Sequence, residues 1–274
     1  MKDICWKITA ASAKGKGHKE CQDSFAYEVL DNLSICVIAD GAGSQKNAKL
    51  GSLLASQLAL KFFKQYVLKY DLSNTPNIIS KDVWRKESIA IVKKIRDRLE
   101  RIAIKKEYDL NSMASTLIVA ISTPKAIYTI HIGDGRAAYL NIENAWNSFI
   151  TPYMGEEVGM TVFVTSEYIW KYSQEYIETN IIYDDIKAIA LLSDGAENAS
   201  FKCINFNEES QQYMDFNQPH PGFYNPLVKF VLENKDKPDK DLNAVWKKFL
   251  EDGTPSFVRE SDDKTIILGV NYAV

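Results

Sequence analysis

In LSICVIADGAGS, residues Leu33–Ser44, seven uncharged and mostly apolar residues stop at Asp40, and Gly41-Ala42-Gly43 follows at once. Such a run reads as a strand buried on both faces. A carboxylate at the end of a buried strand is costly unless something positive meets it. The glycines let the backbone turn sharply or come close to a ligand. Alone, the stretch is accounted for by a strand closing in a solvated Asp-Gly turn. Chemistry requires the pattern to recur.

It does recur. Working outward, Phe25–Val29, the turn Asp31-Asn32 and Leu33–Ala39 predict a hairpin, which puts Asp23 and Asp40 at one rim if the strands pair antiparallel. Cys5–Ala11 reads as a first strand and Ser115–Ile121 as another. Ala126–Ile132, Gly133-Asp134-Gly135 and Arg136–Asn141 read as a hairpin whose turn carries an aspartate. Ile186–Leu192 ends in Ser193-Asp194-Gly195, and Ser261-Asp262-Asp263-Lys264 leads into the strand Thr265–Asn271. Thr161–Thr165 is expected as a strand and Ser166–Tyr176 as a short helix.

Helical spacing predicts Lys46–Tyr70, with Leu50, Leu53, Leu54, Leu58, Phe62 and Tyr66 on one stripe and small residues (Gly51, Ser52, Ala55, Ser56) that let it lie close to a sheet. Lys81–Lys106 places Trp84, Ile91, Ile95, Leu99 and Ile102 on one face. Further helices are expected near Asn225–Glu233 and Leu242–Leu250. With no repeat and no linker, a single α+β domain over residues 1–274 is the simplest account.

Composition narrows the function. A net charge of −3 implies no attraction to nucleic acid or to an anionic membrane. The basic residues of Lys81–Lys106 are interspersed with acidic ones, as on a solvated helix face. Four scattered cysteines and three histidines, with no C-x-x-C pair, argue against a zinc site or a disulfide framework. No signal-peptide core opens the chain and no apolar run is long enough for a bilayer, so a cytoplasmic protein is expected.

Five aspartates, Asp23, Asp40, Asp134, Asp194 and Asp262, therefore punctuate apolar strands, and Asp40, Asp134 and Asp194 each precede a glycine. Any one of them is explained by turn chemistry alone. Converging on one rim of antiparallel sheets, they would repel one another by several kcal/mol. Divalent cations relieve that repulsion, and oxygen-only ligands select Mg²⁺ or Mn²⁺ over zinc. Two such ions form the clamp used for hydrolysis at phosphorus.

In this order the motifs resemble the metal-dependent serine/threonine protein phosphatases of type 2C, and their bacterial branch in particular. The similarity runs through GKGHKECQDSF, VIADGAGS with AKLGSLLAS, MASTLIVAI, IHIGDGRAAYL, LLSDGAEN and SDDKTIILGV. It implies a four-layer α-β-β-α sandwich, two central antiparallel sheets flanked by helices. It further implies that Asp40 bridges two Mg²⁺ or Mn²⁺ ions, that the Gly41 carbonyl joins one of them, and that Asp194 and Asp262 bind the other. Asp23 would hold water for catalysis, and Asp134 would serve a third, weaker ion. The implied partner is a phosphorylated protein, with a cognate serine/threonine kinase beside it.

His18 stands where many relatives carry an arginine that grips substrate phosphate, so the resemblance makes it a substrate-binding and catalytic candidate. Ala42 replaces a histidine proposed as general acid, and Asn198 an aspartate of the third site. Gly135 replaces a serine. Arg136 is expected to pair a carboxylate in its hairpin. Asp263 replaces an asparagine, and register against Thr265 favours Asp262 as the ligand. Two other readings stand beside an active protein phosphatase. One is a non-catalytic binding or regulatory domain on the same scaffold; the other is a hydrolase of small phosphate esters.

Overall fold

Strand β1 (Trp6–Ala13) pairs along its whole length with the last strand of the chain, β12 (Lys264–Asn271), so the two ends of the sequence close one sheet. The computed structural model describes residues 6–74, 77–123, 125–155 and 160–273. Cys5, the expected start of the first strand, lies outside them.

After β1 come β2 (Ser24–Leu30), β3 (Leu33–Ala39), α1 (Ala48–Tyr70), α2 (Lys81–Lys106) and β4 (Leu117–Ser122). Next are β5 (Ile127–Ile132), β6 (Arg136–Asn141), β7 (Trp146–Ser148), the single turns α3 (Tyr168–Lys171) and α4 (Ser173–Tyr176), and β8 (Glu178–Ile182). Then follow β9 (Ile186–Leu192), the turn α5 (Glu197–Ser200), β10 (Phe201–Asn207) and β11 (Gln212–Pro219). Helices α6 (Pro221–Glu233), α7 (Asp239–Asp252) and α8 (Pro255–Arg259) lead to β12.

Two five-stranded antiparallel sheets result, ordered β1-β12-β9-β6-β7 and β2-β3-β4-β5-β8, with β10-β11 as a separate ribbon. Strand β3 shows why they stack. Leu33, Ile35, Val37 and Ala39 face a core with α1 and α2, whereas Cys36 and Ile38 join Ile118, Ile189, Leu191 and Ile267 between the sheets. Alternate residues thus serve two cores, and the strand reads as a continuous apolar run. On the far side, Leu192, Ile266 and Leu268 pack with Tyr224, Trp246 and Leu250 of α6 and α7. Each fully buried chain of this kind adds about 1.5–3 kcal/mol of burial. The layers run α-β-β-α, as the resemblance implies. Among the described residues no helix is long and apolar enough to cross a membrane.

Helix α1 meets the sheet through Gly51, Ser52, Ala55, Ser56 and Ala59, all buried, while Leu53 of the expected leucine stripe is 41% exposed. Gly51 also lies against the 3-10 turn Leu110–Met113, where a Cβ would run into the Met113 carbonyl oxygen.

Three expectations are corrected, and one stretch without an expected element gains one. Strands β5 and β6 form no hairpin; Ile132 pairs with Leu117 and Arg136 with Leu192, so Gly133-Asp134-Gly135 crosses from one sheet to the other. Residues Thr161–Thr165 form a loop, not a strand: Val162 and Val164 are buried, but the backbone reaches the sheet through the Val164 N–H to Ser115 bond, 2.9 Å. Ser166–Tyr176 is two separate turns, α3 and α4. The Phe201–Phe223 stretch, which has no clear pattern in sequence, contains the β10–β11 hairpin.

Candidate metal centre

Register builds the rim. Ser24 pairs with Ala39, so Asp23, just before β2, and Asp40, just after β3, sit side by side. In the other sheet Leu192 lies between Arg136 and Ile266, which brings Asp134, Asp194 and Asp262 to the same edge. Antiparallel pairing alternates strand starts with strand ends, and each aspartate occupies one of those positions.

The backbone at Asp40 is fixed twice: its N–H donates to Thr116 Oγ1 (3.0 Å), and its carbonyl accepts from the Thr116 N–H (2.8 Å). Gly41 bridges Ser115, and a Cβ there would lie 2.6 Å from the Gln22 carbonyl oxygen and 2.9 Å from that of Ala48. Asp23 is buried and ties the two sheets together, its Oδ2 accepting from Ser193 Oγ and Thr265 Oγ1, each at 2.7 Å. Ser193 Oγ in turn accepts from the Thr265 N–H at 2.9 Å.

Electrostatics shows how crowded the rim is. Burial pushes the Asp40 carboxyl well above the usual range, and the charges of Asp23 and Asp194 push it further. Asp194 is raised to about 8, by burial first and then by Asp134 and Asp262. Asp23 rises to about 6, mainly through burial, against the lowering pull of the Ser193 and Thr265 hydroxyls. Asp134 is raised by burial too. Arg136, the nearest guanidinium in sequence, is committed to Glu197 and Asp215.

The residues fit a divalent cation. Asp23 Oδ1 and Asp194 Oδ1 are buried with no donor among the described residues. Mutually repelling carboxylates that keep free oxygens are a hard-cation donor set.

Asp262 and Asp263 are separated by what they touch. Both oxygens of Asp263 are used, Oδ1 by the Gly15 N–H (2.7 Å) and Oδ2 by the Gln22 N–H (2.6 Å), and the residue is 2% exposed. Asp263 therefore pins the loop before β2. Asp262 accepts the Asp263 N–H on Oδ1 at 2.7 Å and has a second oxygen to offer. His18 Nδ1 stands 3.1 Å from Asp263 Oδ1, so the imidazole lies on the Asp262–Asp263 side of the rim. His18, Asp262 and Asp263 each bring one potential ligand atom to within 4.8 Å of the others.

A family model described as Protein phosphatase 2C matches residues 13–250. The chain belongs to that family. It is 24% identical over 276 residues to serine/threonine-protein phosphatase 3 of Escherichia coli (strain K12), across 97% of this chain and 99% of that protein. In fold it resembles serine/threonine phosphatase Stp1 from Staphylococcus aureus, with a TM-score of 0.58 at 14% identity over 97% of this chain and 95% of that one. A bacterial serine phosphatase gives 0.59 at 14% identity over 97% and 98%. The protein phosphatase 2C match contains Asp23, Asp40, Asp134 and Asp194 and ends before Asp262.

In this 2C chain, then, Asp23, Asp40, Asp134, Asp194 and Asp262 share one rim, with His18 beside it. Asn198 is exposed on α5, and its neighbour Glu197 turns to Arg136. Thr116 fixes the Asp40 backbone, and Ser193 and Thr265 fix the Asp23 carboxylate. They sit inside the quoted motifs, but a hydroxyl in a strand carries no sequence mark of its partner. A cleft of about 370 Å³, lined by Arg85, His131, Gly133, Tyr153, Tyr176 and Glu178, opens next to Asp134.

Proposed function

We propose that this chain hydrolyses phosphoserine and phosphothreonine in proteins, using two Mg²⁺ or Mn²⁺ ions. The observation that carries the reading is the convergence of five aspartates from both sheets, with buried oxygens of Asp23 and Asp194 that have no donor among the described residues. Asp40, the Gly41 carbonyl, Asp194 and Asp262 would hold the ions, and Asp134 a weaker third. When bound, such a pair supplies the Lewis acidity that makes water a nucleophile near neutral pH and offsets charge on the phosphoryl oxygens.

The chain's own groups do the rest. Asp23 is oriented through Oδ2 by Ser193 and Thr265, which leaves Oδ1 to hold the attacking water and take its proton. His18, 31% exposed beside Asp263, would donate to a phosphoryl oxygen or to the leaving group. The cleft beside Asp134 would take residues flanking the phosphoserine. A thiol route is disfavoured, because Cys21, two residues from Asp23, is pushed up to about 12 by burial and then by the charges of Asp23 and Asp263. Substrates would be made by a serine/threonine kinase in the same compartment, which we take to be the cytoplasm.

The test compares p-nitrophenyl phosphate with phosphoserine and phosphothreonine peptides, in Mn²⁺ and in chelator. Metal-dependent turnover that favours the peptides is expected, and Asp40→Asn abolishes it. Turnover retained in folded Asp40→Asn overturns the reading. Metal-dependent turnover of the small ester alone points to a small-ester hydrolase, and folded protein with no turnover at any metal concentration points to a binding domain.

A further inference from the structure

Arg136 opens β6 two residues after Asp134 and is 2% exposed. Its guanidinium is committed in three directions. Nε donates to Glu197 Oε2 at 2.6 Å, Nη1 donates to Asn217 Oδ1 at 2.9 Å, and Nη2 lies 2.9 Å from Asp215 Oδ2. The guanidinium also lies over the Phe201 ring, 5.5 Å from its centroid.

What these partners belong to matters more than their number. Glu197 opens α5, and its N–H donates to the Asp194 carbonyl, closing the 3-10 turn Asp194–Ala196. The Arg136 backbone thus continues the segment that carries Asp134, while its side chain holds the turn that carries Asp194. Asp134 and Asp194 are neighbouring like charges, and the Arg136–Glu197 bond ties together the two segments that carry them. Behind the guanidinium, Asp215 and Asn217 belong to β11, and Asn217 Nδ2 is anchored on the Ile150 carbonyl at 2.8 Å. The hairpin braces the arginine against the sheet.

We propose that Arg136 is a positioning residue that sets the separation of Asp134 and Asp194, with the β10–β11 hairpin as its brace. The proposal rests on the reading of those aspartates as metal ligands. A planar fork is required, because a lysine ammonium in the same place engages fewer of the three partners at once.

The experiment measures Mn²⁺ binding to the metal-free chain by calorimetry, with thermal unfolding and p-nitrophenyl phosphate kinetics alongside. The double variant Arg136→Gln/Glu197→Gln removes one positive and one negative charge, so it reports geometry at nearly constant local charge. Mn²⁺ affinity is expected to fall about tenfold, the lower end for groups outside the ligand set, with kcat lowered and KM little changed. Arg136→Lys falls between this and wild type. Asn217→Ala, a neutral change that loosens the brace, weakens Mn²⁺ binding by a smaller factor. Wild-type Mn²⁺ affinity in the folded double variant overturns the proposal. If that variant does not fold, wild-type affinity in Asn217→Ala overturns it instead. A wild-type chain that binds no Mn²⁺ and turns over no ester refutes the metal reading itself, a different outcome from unaltered variants of a protein that does bind.

Discussion

Ser193 donates its hydroxyl proton to Asp23 Oδ2 over 2.7 Å, across 170 residues of sequence and between the two sheets. Ser193 Oγ in turn accepts the Thr265 N–H, so one hydroxyl orders both the rim of one sheet and the first carboxylate of the other. Ser193→Ala leaves a buried carboxylate short of a donor and a buried amide without an acceptor. A hydrogen bond to a charged group is worth about 1.5–3 kcal/mol, and the variant should lose that much stability. With Asp23 held by Thr265 Oγ1 alone, kcat should fall about tenfold. Urea unfolding and steady-state kinetics measure both, and an unchanged kcat would show that Ser193 has no part in positioning Asp23.

Gly41 has no room for a side chain. The Cβ of Gly41→Ala would stand 2.6 Å and 2.9 Å from two backbone oxygens, neither of which can rotate away. The strain should cost about 1–3 kcal/mol and displace the carbonyl assigned to the metal. Calorimetry should find Mn²⁺ binding lost or strongly weakened, whereas Ala42→Gly next door should bind normally. Equal binding by Gly41→Ala and wild type would remove Gly41 from the ligand set.

Asp263 accepts two backbone N–H groups, and an asparagine can accept only one of them. Asp263→Asn should therefore loosen the loop from Gly15 to Gln22 at a cost of about 1–3 kcal/mol. Hydrogen exchange at the Gly15 and Gln22 amides reports it directly. Mn²⁺ binding should survive in Asp263→Asn and fail in Asp262→Asn. The reverse result would exchange the roles of the two aspartates.

The carboxylate cluster also dictates a pH dependence. The carboxyls of Asp23, Asp40 and Asp194 are raised in the fold, to about 6 for Asp23 and about 8 for Asp194. The folded chain therefore holds protons that the unfolded chain releases near pH 4. That stabilisation is complete below about pH 4 and is lost as pH rises through 6 towards 8. Mn²⁺ should invert the trend, because binding would require the ionised carboxylates and release their protons. Melting temperature against pH in chelator should decline over this window relative to Asp40→Asn, which lacks the central charge. Parallel profiles for the two proteins would contradict the cluster.

Much of this was legible beforehand because it is local. Strands β3, β6 and β9 and helix α2 have the bounds expected from apolar runs and helical spacing. The five rim aspartates are marked by the abrupt end or start of those runs. Antiparallel pairing then gathers them at the rim of each sheet, and only the stacking of the two sheets joins the rims.

Other features depended on tertiary contact. Gly133-Asp134-Gly135 has the chemistry of a hairpin turn, and it became a crossing because Ile132 and Arg136 found partners in different sheets. Thr161–Thr165 has β-forming composition, but Val162 and Val164 are held by burial rather than by a strand ladder. The β10–β11 hairpin is largely exposed, and at its base it is tied to Arg136 and Ile150, bonds with no local signature. Asp262 and Asp263 are neighbours of the same type, and only the loop docked on Asp263 tells ligand candidate from clamp. Residue order determines alternation and turn chemistry, which act over a few residues. Which carboxylate is exposed to a cation and which is consumed by an amide depends on groups hundreds of residues away, brought within hydrogen-bonding distance only by the packed sheets.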